Sequence, residues 1–344
     1  MMPTTLLRRG IQIALLAGSL GVSSGAAFSQ EINLYTTREP GLIKTLIDAF
    51  TQAKGVKVNT IFVKDGLAER VEAEGDKSPA DVLMTVDIGN LIDLVDKKLT
   101  QPVKSSLLDS AIPANLRGAN GEWFTLSMRA RVLYAAKDLD LTAFTYEDLA
   151  DPKWKGKVCI RSGQHPYNTA MIAAYLAHHG AAKTETWLKG LKANLARKAG
   201  GGDREVARDI LGGICEIGVG NSYYVGLMRS GNGGPDQKKW GEAIKVVLPT
   251  FEGGGTQVNV SGAAVARNAP NKAAAISFLE FLVSDAAQKI YAEANYEYPV
   301  KAGVAADPLI AALGNLKVDN LNLTEIAKNR KEASLLAEKV GFDN

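Results

Sequence analysis

Two cysteines and three histidines are all that 344 residues offer as thiolate and imidazole ligands. That is too few for a zinc or iron–sulfur framework, which gathers several such side chains at short, fixed spacings. A surplus charge of one sign is also missing, since 40 lysines and arginines face 37 aspartates and glutamates. Such a balance offers no electrostatic handle to nucleic acid or to a membrane surface. No nucleophile elbow between strand and helix, no paired-carboxylate motif and no phosphate-binding glycine loop is present, and the chain is not expected to be an enzyme. Beyond residue 29 no apolar run approaches the roughly 20 residues that a membrane-spanning helix needs.

The one long apolar run sits at the start. Arg8 and Arg9 precede IQIALLAGSLGV, then small residues and AFSQE, the three-part build of an export signal with Ala27 and Ser29 suited to the cleavage pocket. Residues 1–29 are therefore expected to be a cleaved signal peptide and the product a soluble periplasmic monomer. No cysteine near the cut suggests a lipid anchor. In an exported chain, Cys159 and Cys215 read as a disulfide more readily than as reactive thiols. The remaining chain is longer than one hydrophobic core usually serves, which implies two lobes.

Residues 31–37, EINLYTT, alternate with the period of a strand, and EPGLIKTLIDAFTQAKG sets Leu42, Leu46, Ala49 and Phe50 on a helical stripe that Gly55 ends. VKVNTIFV and PADVLMTV follow as strands. Strand, helix, strand in this order predicts parallel pairing covered by helices. The same pattern resumes with strand GKVCIRS, helices over 168–179 and 187–195, and strands ICEIGVG and IKVVLP. GNGG at 231–234 and EGGGT at 252–256 are loops. Late in the chain, a strand ending before Pro270 leads into a helix with Ile276, Leu279, Leu282 and Val283 on its buried stripe.

This late segment resembles the C-terminal signature of solute-binding proteins of ABC importers with the type II periplasmic fold. The ordered set YTTREPGLI, SPADVLMTVD, RARVLY, GKVCIRSG, LKANLAR, GGDRE, GNSYYVG and EYPVK resembles the ferric-ion-binding proteins of bacterial iron importers over nearly the whole exported chain. The resemblance implies an α/β fold of two lobes, each a mixed sheet flanked by helices, with a cleft between them. It places crossover strands near 128–133 and 258–264, so that residues 30–127 and 258–344 form the first lobe and 128–257 the second. It also implies a function: carrying ferric ion, with a synergistic anion, to a permease in the inner membrane.

Iron(III) is a hard cation that favours anionic oxygen, and a cation can displace a phenolic proton whose ordinary pKa is about 10. Within SYYVG and SGQHPYN, Tyr223, Tyr224 and Tyr167 match the family's ligands. Successive strand residues face opposite ways, so Tyr223 and Tyr224 must sit in a turn or at a helix start, with Asn221 or Ser222 as cap. Cys159 precedes Tyr167 by the same interval as Cys215 precedes Tyr223. If both cysteines lie on neighbouring parallel strands, a bridge would set the two tyrosine loops at matched height, where open α/β sheets place ligands.

Three phenolates leave a six-coordinate ion unfilled, and relatives add an exogenous anion, commonly carbonate or bicarbonate. Arg129 matches the family arginine, whose planar fork suits an oxyanion edge. Arg38 is a second candidate, and Ser162, Gly163 and Asn168 are candidate donors. Some relatives carry His-Tyr just after the first-strand arginine, whereas this chain has Glu39-Pro40, which leaves Glu39 as a residue that approaches the site only on closure. His165 is a candidate outer-layer residue. His178 and His179 diverge by about 100° on a helix and are not expected to share a metal. Tyr35 reads as packing, Asp87 as a helix cap and Arg131 as part of a surface or hinge ion pair. The alternative reading is a carrier of a small organic or phosphorus-containing anion, which would need no metal.

Overall fold

A computed structural model describes residues 30–344, and the expected signal peptide lies outside the described residues. In chain order the strands are β1 (Glu31–Thr36), β2 (Lys57–Phe62), β3 (Val82–Thr85), β4 (Phe124–Ala136), β5 (Val158–Cys159), β6 (Ile217–Asn221), β7 (Ile244–Val247), β8 (Val258–Val265) and β9 (Tyr298–Pro299). The helices are α1 (Lys44–Lys54), α2 (Leu67–Glu74), α3 (Ile88–Asp96), α4 (Ser106–Ala111), α5 (Pro166–His179), α6 (Ala181–Ala193), α7 (Asp203–Leu211), α8 (Ser222–Ser230), α9 (Pro235–Glu242), α10 (Lys272–Leu282), α11 (Asp285–Asn295), α12 (Pro308–Ala311) and α13 (Leu323–Lys339).

The result is a two-lobed α/β fold. One curled mixed sheet runs β2-β1-β3-β8-β4-β6-β5, with β7 and β9 also paired to β4. β1 lies parallel to β2 and β3, as the alternating pattern requires, while β8 is antiparallel to β3 and β4. β4 changes partners along its length. Residues from Phe124 to Ala130 pair with β8, whereas Arg131 to Ala135 pair with β6 and Leu133 to Ala136 with β7. All of β4 except its last residue is buried, although Thr125, Ser127, Arg129 and Arg131 alternate with apolar residues along its first part. The stretches expected as crossovers lie on β4 and β8.

The C-terminal segment packs on both sides of the expected division. α12 packs on α8, and α13 packs chiefly on α5, with one edge against α3. Residues 308–344 thus lie largely against helices of the 128–257 stretch. Ala337 and Phe342 close over Gly163, where an added Cβ would stand 2.8 Å from the Phe342 ring.

Candidate metal centre

β6 passes into α8 without a loop. Asn221 is extended, with φ −85° and ψ 142°, and Ser222 begins the helix, so Tyr223 and Tyr224 occupy its first turn, as the adjacent-tyrosine argument demands. Neither named cap residue caps with its side chain: Asn221 Oδ1 accepts from Arg131 at 3.1 Å, and Ser222 Oγ accepts from the Ala130 N–H at 3.1 Å. The junction is held from beneath, because the Tyr134 hydroxyl donates to the Asn221 carbonyl at 2.7 Å. Gly220 makes room for that ring, since a Cβ there would meet it at 2.3 Å.

Tyr167 is likewise the second residue of its helix. His165 is the N-cap of α5, its Nδ1 accepting from the Tyr167 N–H at 3.2 Å, and Pro166 supplies a preset φ at the first helical position. Burial, then the nearby Arg161 charge, pushes the His165 imidazole down to about 4. It remains neutral near pH 7 and serves as an acceptor.

The two helix starts converge. The Tyr167 and Tyr223 hydroxyl oxygens are 3.3 Å apart, and the Tyr223 and Tyr224 rings lie 4.1 Å apart between centroids. All three tyrosines line one cleft of about 520 Å³, together with Arg38, Glu39 and Arg129 from the opposite side. Cys159 and Cys215 are disulfide-bonded, with Cα atoms 5.9 Å apart. Their expected register is corrected: β5 and β6 are parallel, but Cys159 faces Gly218, and Cys215 lies before β6 begins. Equal sequence intervals therefore do not mean equal heights. A turn at Ser162–His165 takes up the difference before α5, whereas β6 runs straight into α8.

Burial, followed by the Tyr167 and Tyr224 neighbours, raises the Tyr223 phenol well above its ordinary value of 10, and burial also raises Tyr224. Cations sit beside the rings in partial opposition. Arg161 and Arg129 lie 5.2 and 5.7 Å from the Tyr167 ring centre, and Arg204 lies 5.6 Å from that of Tyr224. The Tyr223 and Tyr224 phenols keep their protons until a strong positive charge arrives to displace them.

Of the expected anion donors, Arg129 and Arg38 line the cleft. Arg129 donates to Ser261 Oγ at 3.3 Å and to the Val86 carbonyl. Ser162, Gly163 and Asn168 are corrected, because their donors are already engaged away from the cleft lining. The Ser162 hydroxyl and the Gly163 N–H donate to Asp343, the latter at 2.7 Å. Asn168 Nδ2 donates to the Arg161 and Ser162 carbonyls at 2.8 and 3.1 Å, and its Oδ1 accepts from Arg131 at 2.5 Å. Arg131 forms a fully buried pair with Asp203 at 2.5 Å rather than a surface one.

Glu39 is exposed at the cleft mouth. His178 and His179 bond separate carboxylates, Asp319 at 3.1 Å and Glu147 at 2.6 Å. Tyr35 is buried with its hydroxyl donating to Glu74 at 3.0 Å, and Asp87 caps α3 through the Gly89 and Asn90 N–H groups. Among the described residues no group of three or more His, Cys, Asp or Glu is placed to hold a metal. Sequence reasoning missed Glu297, Tyr296 and Arg204, which also line the cleft. Glu297 and Arg204 stood in the strings EYPVK and GGDRE, where a charge beside apolar or glycine residues was the available signal.

Comparison with known proteins places the chain among solute-binding proteins. The family model for bacterial extracellular solute-binding proteins matches residues 36–289. Iron uptake protein A2 of Synechocystis sp. is 41% identical over 323 residues, covering 92% of this chain and 91% of that protein. Among solved structures, a Bordetella ferric binding protein is 68% identical with a TM-score of 0.89, covering 92% of this chain and all of that one. A Trichodesmium protein solved with iron and citrate ligands is 42% identical with a TM-score of 0.86, covering 91% of this chain and 99% of that one.

Proposed function

The chain belongs to the bacterial extracellular solute-binding protein family, and from that premise we propose that it is the periplasmic iron(III)-binding component of an ABC importer. Ferric ion is its cargo, held by Tyr167, Tyr223 and Tyr224 with an exogenous anion beside Arg129 and Arg38. The observation that carries this reading is the 3.3 Å approach of the Tyr167 and Tyr223 hydroxyls in a cleft that Tyr224 shares. Oxygen ligands of a small hard cation stand about 2 Å from it, so two at right angles are about 3 Å apart.

Three phenolates cancel the charge of iron(III), and their loss of protons makes binding release acid. The remaining coordination positions go to the anion, whose negative edge the Arg129 guanidinium faces. We assign the first lobe to the β1–β3 and β8 side and the second to the side of β5–β7, with β4 and β8 as crossovers. Closure of the cleft then shields the ion, and docking on an inner-membrane permease reopens it. Residues 1–29 serve export and are removed.

One titration tests the reading. Ferric citrate added to the apo-protein with bicarbonate should produce a visible phenolate-to-iron absorption that saturates at one ion per chain. A protein that stays colourless and binds small organic or phosphorus-containing anions without metal would establish the anion carrier instead.

A further inference from the structure

Under the cleft floor three charged side chains are buried together, which is one more than an ion pair needs. Arg38 Nη2 donates to Glu297 Oε1 and Oε2 at 3.0 and 3.2 Å and to the Ser261 hydroxyl. Ser127 donates to Glu297 Oε2, and Ser261 lies 3.4 Å from the same oxygen. Arg129 joins through Ser261. None of these five residues is more than 5% exposed. Burial alone would lift the Glu297 carboxyl, but Arg38 and then Arg129 outweigh it and hold it below the usual carboxylate range, so the group is charged at neutral pH.

Two guanidiniums against one carboxylate leave a single positive charge on the floor. Both arginine Nε atoms are buried without a partner. The surrounding charges do not cancel this surplus. Asp87 is paired with Arg330 at 2.5 Å, and Glu39 lies exposed at the mouth where solvent screens it. Asp203 answers only one of Arg131 and Arg161, and Arg204, which lines the cleft beside Tyr224, has no carboxylate partner among the described residues, so the neighbours add to the positive charge. Burying an unbalanced charge is costly unless a ligand of opposite sign answers it.

We infer that Glu297 is a specificity-determining residue: by cancelling one of the two floor arginines it lowers the positive charge facing the anion by one and shifts the cleft's preference toward less highly charged oxyanions. The inference rests on the proposed function, because three phenolates neutralise the ferric ion and leave the fixed charges of the cleft to set the charge of the anion. A floor charge removed by Glu297 weakens a dianion more than a small monoanion such as hydrogencarbonate, since the Coulomb term scales with the charge on the ligand.

The test uses the iron-loaded protein, freed of added anion and titrated at pH 7 with hydrogencarbonate, formate, sulfate or malonate, each followed by the shift of the visible band. The wild type sets the reference ratio of dianion to monoanion affinity. Glu297→Gln should move the dianion-to-monoanion affinity ratio by about tenfold or more toward dianions. The double variant Arg38→Gln with Glu297→Gln, whose floor again carries one positive charge on Arg129, should return the ratio to that of the wild type. A ratio that is the same in all three proteins overturns the inference while leaving iron binding intact.

If Glu297→Gln does not fold, Arg38→Gln alone reads the claim from the other side. It takes the floor to zero and should weaken every anion by about tenfold or more. Unchanged affinities there would overturn the inference. A wild type that shows no iron-dependent colour removes the proposed function itself, and this inference with it.

Discussion

Tyr296 lies with its ring against the backbone of α8 at Gly226, where an added Cβ would stand 2.6 Å from the nearest ring atoms. The tyrosine holds a left-handed backbone, φ 55°, and its hydroxyl accepts from Asn232 Nδ2 at 2.9 Å. The segment just before β9 is thereby fastened to the helix that carries Tyr223 and Tyr224. Gly226→Ala should push this ring away, costing about 1–3 kcal/mol of stability and weakening ferric-ion affinity. A thermal melt and a chelator competition would check both.

Removing one phenol oxygen at a time tests the ligand set. Tyr167→Phe, Tyr223→Phe and Tyr224→Phe should each lower ferric affinity by about 100-fold or more, beyond the 10- to 100-fold typical of residues that only support a ligand. Each should also shift or weaken the visible band. Tyr35→Phe, whose hydroxyl serves Glu74, should leave the band unchanged.

Acid should drive the ion out. The apo-protein holds its Tyr223 and Tyr224 protons because both phenols are raised above their ordinary value, so binding releases protons and falling pH opposes it. Affinity should drop about tenfold per pH unit for each proton released, with no plateau between pH 7.5 and 5.5. An affinity flat across that interval, after correction for the chelator, would remove the phenolate ligands from the proposal.

The Cys159–Cys215 bridge closes a loop of 56 residues, for which chain entropy gives a stabilisation of about 4 kcal/mol. Replacing both cysteines by alanine should lower the melting temperature. It should also weaken ferric binding, since β5 and β6 lead into both tyrosine-bearing helices. Loss of stability with undiminished affinity would reduce the bridge to a general staple.

Much of this was legible in the chain. Alternation in EINLYTT and the helical stripe from Leu42 to Phe50 set out β1 and α1 because burial on one face leaves a period. The helix start at Tyr223 and Tyr224 was legible because a strand cannot aim neighbours at one point. The donors at Ser162, Gly163 and Asn168 misled, since a hydroxyl or amide does not advertise its partner, and Asp343 lies 180 residues from Gly163. Glu297 escaped for the same reason, its meaning depending on Arg38 at a separation of 259 residues.

The three phenols and the two floor arginines reach the cleft from opposite sides, the phenols from α5 and α8, Arg38 from the end of β1 and Arg129 from the part of β4 beside β8. On the proposed ligation, parting those sides would pull the anion from its guanidinium while sparing every bond from a phenol oxygen to iron. Release would then have an order built in, counter-ion first and metal second, and an ion stripped of its anion is the easier one for a competing chelator to take.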